Sequence, residues 1–191
     1  MKHNYGINFV QDYPVKGVNF IDINGLLANP SEYQHVIDMF CRVINIARRG
    51  NYTKSELNNF ARGKEAILTT ESRGFLFGAP VAYKLNLPLV LVRKAGKIPN
   101  KPYKFHITNE YDSYDMEVDS DLLEQYNQFI YIDDILATGN TLGDINNALK
   151  AKGKKISIAT HLTSVDALKQ IRDQNEKLKS LRMYDIIQLK K

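Results

Sequence analysis

The chain is predicted to fold as an α/β protein in which a mostly parallel sheet is covered by helices on both faces. Two observations carry this. From Asn29 onward, short apolar runs alternate with segments of helical period. The run Phe129 to Ile132 also ends in the adjacent carboxylates Asp133 and Asp134. A small-residue turn follows (Ala137, Thr138, Gly139, Asn140 and Thr141), and Leu142 opens an amphipathic segment. Strand, acidic pair, small turn and helix, in that order, is how such a sheet presents a sugar-phosphate site at the carboxyl end of a strand.

The elements follow in chain order. Residues 1–28 read as an irregular cap. Asn29 caps a helix, with Pro30 at its first position and Glu32 completing a capping box. Tyr33, Val36, Ile37, Phe40, Val43, Ile44 and Ala47 hold helical spacing as far as Gly50. A strand is expected over Ala66–Thr70, a helix over Gly74–Leu85 and a second strand over Pro88–Val92. Residues 93–118 form a long polar excursion, with a hairpin of Tyr103–Thr108 against Tyr114–Val118. The third strand is Gln128–Asp133, followed by a helix over Thr141–Ala151 and a fourth strand over Lys155–His161. A helix over Ala167–Leu178 and a strand over Met183–Leu189 complete the set. No repeat, linker or low-complexity segment divides the chain, so residues 1–191 are expected to form one domain.

The 191 residues suffice for an α/β domain with a sizeable core, and 43% hydrophobic with 25% charged residues excludes a disordered chain. No apolar run approaches the ~20 residues of a membrane helix, and the N-terminus lacks the pattern of a signal peptide. The single cysteine, Cys41, excludes an intramolecular disulfide, fits a reducing cytoplasm, and sits among helical apolar positions where packing is its expected role. A net charge of +5 favours polyanionic ligands, either nucleic acid or a multiply phosphorylated metabolite. Zinc spacing, an RNA-binding aromatic motif and a basic amphipathic stripe are all missing, so neither nucleic acid nor a membrane is expected as partner. Lys169, Lys177 and Lys179, mixed with acids, read as a solvated face.

Four segments carry candidate chemistry. In the first, Gly74 permits a tight strand-to-helix turn after Ser72 and Arg73; Arg73 offers a planar fork for phosphate oxygens or forms a surface ion pair. The second places Arg93, Lys94 and Lys97 beside Gly96, as an anion site or as a solvated turn. The third is Glu110 on the long excursion, a candidate acid or simply exposed surface. In the fourth, the turn Ala137–Thr141 supplies free amides and a helix N-terminus for phosphate, and Asp133 and Asp134 suit ribose hydroxyls or a hydrated Mg²⁺.

Taken together, these segments resemble the type I purine phosphoribosyltransferases, and among them those that act on adenine. Tyr131 to Leu142 resembles the family's phosphoribosyl pyrophosphate (PRPP) signature, Glu71 to Pro80 its pyrophosphate loop, Val92 to Pro99 its basic loop, and Glu110-Tyr111 its flexible-loop acid. Asp12 to Pro14 and Gly17 to Ile23 resemble its base-covering hood. The match runs from about Asp12 to Val165 with the motifs in family order. Three positions depart from it. Ile21 stands where the family usually has Arg, Asn140 where it has a second glycine, and Asp112 where it has a glycine after the tyrosine.

The resemblance implies a type I phosphoribosyltransferase-like fold with a hood over 1–28 and a lid over 93–118. The implied reaction is adenine plus PRPP giving AMP and pyrophosphate, with Mg²⁺ held mainly by substrate and water rather than by a protein metal site. It assigns Ala137, Thr138, Gly139, Asn140 and Thr141 to the 5′-phosphate, and Asp133 and Asp134 to the ribose. Ser72, Arg73, Arg93, Lys94 and Lys97 fall to the pyrophosphate, with Arg73 and Glu110 as the catalytic pair. Phe20 and Ile135 would sandwich the base, whose edge is read by the backbone around Asn19 and Ile21. A homodimer is also implied. The alternatives are transfer to hypoxanthine or guanine, and a PRPP-sensing regulator without turnover.

Overall fold

The computed structural model of the chain describes residues 4–108 and 113–188. Its main sheet is built from β3 (Glu65–Thr70), β4 (Leu89–Lys94), β5 (Pro102–Thr108), β6 (Ser113–Asp119), β7 (Gln128–Leu136), β8 (Lys155–Ser164) and β9 (Met183–Asp185), in the order β5-β6-β4-β3-β7-β8-β9. β4, β3, β7, β8 and β9 run parallel. β5 and β6 form an antiparallel edge hairpin joined to β4.

The buried run in β7 explains its central place. Ile130 and Ile132 face one core with Val36, Phe40 and Ile44 of α2 (Pro30–Asn51) and Phe77 and Val81 of α4 (Gly74–Leu85). Phe129 and Tyr131 face the other core with Leu142, Ile145 and Leu149 of α6 (Asn140–Ala151). A strand buried on both faces needs apolar residues in succession, which only a covered parallel sheet rewards. The start of α2 keeps the expected cap and Pro30: the Asn29 side chain accepts from the Glu32 amide at 3.3 Å, while the Asn29 amide donates to the Leu26 carbonyl at 3.1 Å. Cys41 is half-buried against the first core, and that burial raises its thiol pKa.

The structure differs from the expected elements at several points. The cap at 1–28 contains an antiparallel ribbon of β1 (Asn8–Val10) and β2 (Phe20–Asp22), followed by the short α1 (Asn24–Leu27). Two helices were not foreseen, α3 (Lys54–Ala61) and α5 (Ser120–Gln125). α3 is held by a capping box between Thr53 and Glu56. The helix expected at 167–178 is broken into a 3-10 turn at Asp166–Leu168, α7 (Lys169–Gln174) and a second 3-10 turn at Glu176–Leu178. β9 is shorter than expected, while β7 and β8 extend three residues further and carry Asp133 and Asp134 within the ladder. Lys177 is more than solvated surface, because its Nζ pairs with Asp144 at 2.5 Å. Among the described residues no helix is long and apolar enough to cross a membrane.

Candidate active site

A cavity of about 600 Å³ opens where the parallel strands end. The N-terminal ribbon contributes Asn19, Phe20 and Ile21; the end of β3 gives Thr70, Glu71, Ser72 and Arg73. β7 and the turn after it contribute Asp133, Asp134, Ile135 and Ala137 through Leu142. One small volume thus gathers residues from segments more than a hundred positions apart.

The turn presents backbone amides to the cavity. Gly139 at φ +82° bends the chain into α6. The amides of Ala137 through Leu142 have no hydrogen-bond acceptor among the described residues. Free amides at the start of a twelve-residue helix place partial positive charge at the cavity.

Asp133 and Asp134 differ in environment. The Asp133 carboxyl is pushed well above the usual carboxylate range, first by desolvation and then by the charge of Asp134. Its Oδ2 accepts from the Tyr131 hydroxyl at 2.7 Å and its Oδ1 from the Asp134 amide at 2.9 Å. Gly74 is required beside it, since a Cβ there would lie 2.6 Å from Asp133 Oδ1. Asp134 is ion-paired with Arg73. Arg73 also donates through Nη1 to the Ile21 carbonyl at 3.2 Å, and its guanidinium lies 5.1 Å from the centre of the Phe20 ring. A single side chain therefore ties the acidic pair to the N-terminal ribbon.

The Ile21 side chain is buried in the first core, so it presents backbone rather than side chain to the cavity. Asn140 occupies the first position of α6 without breaking the turn, its Oδ1 accepting from Asn175 Nδ2 at 3.1 Å. Arg93, Lys94 and Lys97 are not among the lining residues. They stand beside it: Arg93 Nε lies 3.5 Å from Glu71 Oε2, which also accepts from the Lys94 amide at 3.1 Å. The Lys97 and Ile98 amides, each at 2.6 Å, hold Glu117. Glu110 and Asp112 fall outside the described residues. Three neighbours of the site carry no assignment from the sequence: Thr70, His161 and Arg172. Period-two spacing on β7 could have put Tyr131 beside Asp133; the partners on β3, β8 and α7 leave no local signal. His161 is buried on the cavity wall 5.7 Å from the Tyr131 ring, and desolvation, with the charge of Arg172 second, lowers its pKa to about 3.

Fold and cavity are those of α/β proteins that hold a ligand at the carboxyl ends of a parallel sheet. The model of the phosphoribosyl transferase domain matches residues 26–189. An adenine phosphoribosyltransferase of Ureaplasma parvum is 40% identical over 148 residues, 77% of each chain. The structure of an adenine phosphoribosyltransferase from Thermoanaerobacter pseudethanolicus superimposes with a TM-score of 0.78 at 29% identity, covering 96% of each chain. That of the Saccharomyces cerevisiae adenine phosphoribosyltransferase, complexed with an imino-altritol bisphosphate and adenine, gives 0.77 at 25% identity over 95% of this chain and 94% of the other. The chain belongs to the phosphoribosyltransferase family.

Proposed function

We propose that the protein transfers the phosphoribosyl group of PRPP to adenine, giving AMP and pyrophosphate. The observation that carries this reading is the convergence of the amide-rich turn, the Asp133–Asp134 pair, Arg73 and Phe20 on one cavity, in a chain similar over most of its length to adenine phosphoribosyltransferases.

The purine nitrogen attacks the anomeric carbon as the bond to pyrophosphate breaks, through a state of oxocarbenium character. The protein must align the two reactants, stabilise charge on the leaving group and exclude water. The amides of Ala137 to Thr141 receive the 5′-phosphate, and Asp133 and Asp134 accept from the ribose hydroxyls. Ser72 and Arg73 meet the pyrophosphate, with Arg93, Lys94 and Lys97 beside them. In the structure Arg73 lies over Phe20, so adenine stacking on that face displaces the guanidinium and the pyrophosphate supplies its new partner. The same movement frees the Ile21 carbonyl which, with the backbone of Asn19, reads the purine edge; Ile135 covers the other side of the base. Glu110 moves a proton at the imidazole nitrogens; of the lid expected over 93–118, residues 102–108 and 113–119 are strands of the main sheet, so closure falls to the loop between β4 and β5.

Among the described residues no cluster of three or more His, Cys, Asp and Glu is placed to hold a metal. A Mg²⁺ carried by PRPP would be held mainly by substrate oxygens and water, with Asp133 and Asp134 as the nearby carboxylates that would favour a cation there. When bound, the ion supplies positive charge to the departing pyrophosphate. A cytoplasmic location fits the free cysteine. A homodimer with residues 1–28 as hood fits the exposed apolar side chains of α2 and α4, Ile46, Leu76 and Tyr83 among them.

The test is AMP and pyrophosphate formation from adenine, PRPP and Mg²⁺. Wild type is expected to form both in equal amounts, and the folded Asp133→Ala, Asp134→Ala double variant to lose most of that rate. Near-normal kinetics in the double variant remove the site assignment.

A further inference from the structure

The segment after β8 reaches back to the turn that the reading above gives to the 5′-phosphate. Arg172 on α7 is only 8% exposed. Its Nη1 donates to the carbonyls of Val165 at 2.6 Å and Ala137 at 2.8 Å, with the Leu136 carbonyl at 3.4 Å. Asn175 Nδ2 donates to Asn140 Oδ1 at 3.1 Å and to the Thr138 carbonyl at 3.4 Å, while its Oδ1 accepts from the Lys177 amide at 3.1 Å. Leu178 fills the space that a Cβ on Gly139 would need. The turn is thus held by its carbonyls, and the amides from Ala137 to Leu142 are left without acceptors among the described residues. Holding the carbonyl end of successive peptides fixes the direction of their N–H dipoles.

Arg172 is within electrostatic reach of the Asp185 carboxylate but makes no direct ion pair with it. No carboxylate among the described residues forms an ion pair with Arg172. Carbonyls accept from its Nη1 but do not balance its charge, and a buried charge only partly balanced is costly. A dianionic phosphate on the far side of the turn supplies the opposite sign.

We propose that Arg172 and Asn175 are positioning residues that set the phosphate-binding turn, with Arg172 also a buried counter-charge to the 5′-phosphate. This rests on the turn being the phosphate site. Calorimetric dissociation constants for AMP and adenosine, which differ only in that phosphate, separate the two ideas. Wild type is expected to prefer AMP strongly. In Arg172→Met the AMP constant should rise by about tenfold to a hundredfold, the range for a lost hydrogen bond to a charged group. Adenosine binding should move by less than about threefold, well under one such bond. Arg172→Lys should recover part of the AMP preference, and failure to recover any overturns the counter-charge. Asn175→Ala, which keeps the charge, should weaken AMP by roughly threefold to tenfold, the scale of a neutral hydrogen bond; it decides the matter if Arg172→Met does not fold. Equal losses for AMP and adenosine, or an unchanged preference in the folded variants, overturn the positioning role. A wild type with no preference for AMP overturns the phosphate reading itself, and the proposal with it.

Discussion

Tyr131 donates its hydroxyl hydrogen to Asp133 Oδ2 at 2.7 Å, from two residues earlier on the same strand. The Thr70 hydroxyl, 2.8 Å away on the neighbouring β3, completes the chain. Burial, and next the charge of Asp133, push the Tyr131 phenol well above its ordinary pKa, so it keeps the proton it donates. The bond favours the ionised form of Asp133, against the desolvation that opposes it.

Tyr131→Phe removes only the hydroxyl. PRPP is expected to bind about tenfold to a hundredfold more weakly, the worth of a hydrogen bond to a charged group. The sign of the pH effect is fixed. Losing the donor raises the Asp133 pKa further, so the acid limb of kcat/KM for PRPP moves to higher pH. Profiles that superimpose for wild type and variant contradict this role.

His161 gives a prediction about stability. In an unfolded chain a histidine titrates near pH ~6.5; in the fold this one is lowered to about 3. The unfolded chain therefore takes up the proton first. Stability that is complete above the unfolded pKa is lost as pH falls toward the folded value, by about 1.4 kcal/mol per pH unit. Between pH 7 and pH 5 this amounts to about 2 kcal/mol. Urea unfolding of His161→Gln at those two pH values is expected to show a correspondingly smaller difference than wild type. An unchanged difference contradicts a neutral, buried His161.

Closure of the loop after β4 predicts a change in protease sensitivity. Lys97 is exposed on the loop after β4, and its own amide and that of Ile98 hang on the buried Glu117 carboxylate. Trypsin is expected to cut the free protein at Lys97, and saturating PRPP with Mg²⁺ to slow that cut by mass action on the closed form. Equal cleavage rates with and without PRPP and Mg²⁺ contradict closure.

Much of this architecture could be read from residues alone, for reasons visible in particular elements. The run Phe129 to Ile132 is apolar on both faces because both faces are covered, and Asn29-Pro30 is a local helix start that tertiary packing left intact. The expected end of β7 at Asp133 was too early because β8 keeps pairing beyond it, through Ile135 with Thr163 and Leu136 with Ser164. A carboxylate usually ends a strand, and here the ladder overrides that preference. The helix expected over 167–178 breaks at Asn175, whose side chain caps the following 3-10 turn. α3 escaped notice because Asn58 and Asn59 are poor helix formers; its Glu56 is anchored by Arg182 and Lys155, from distant parts of the chain. For the cavity, the sequence pointed to the end of β3 and to the turn after β7, while Arg93, Lys94 and Lys97 stand beside the lining and the supports of the turn left no signal. Arg172 and Thr70 act only through the folded proximity of their elements.

The proposed reaction is phosphoribosyl transfer to adenine, with the base read by backbone groups of the N-terminal ribbon. The Ile21 side chain is buried and its carbonyl accepts from Arg73 in the structure, so under this proposal base choice rests on the ribbon's backbone and not on the arginine that Ile21 replaces. A carbonyl facing the exocyclic amine of adenine would meet the carbonyl of hypoxanthine or guanine as a repulsive mismatch in a closed site, worth about 10⁴-fold. The most direct test is kcat/KM for adenine, hypoxanthine and guanine at identical, saturating PRPP and Mg²⁺. Adenine is expected to exceed both others by about that factor. Hypoxanthine or guanine equalling or surpassing adenine would contradict adenine as the substrate.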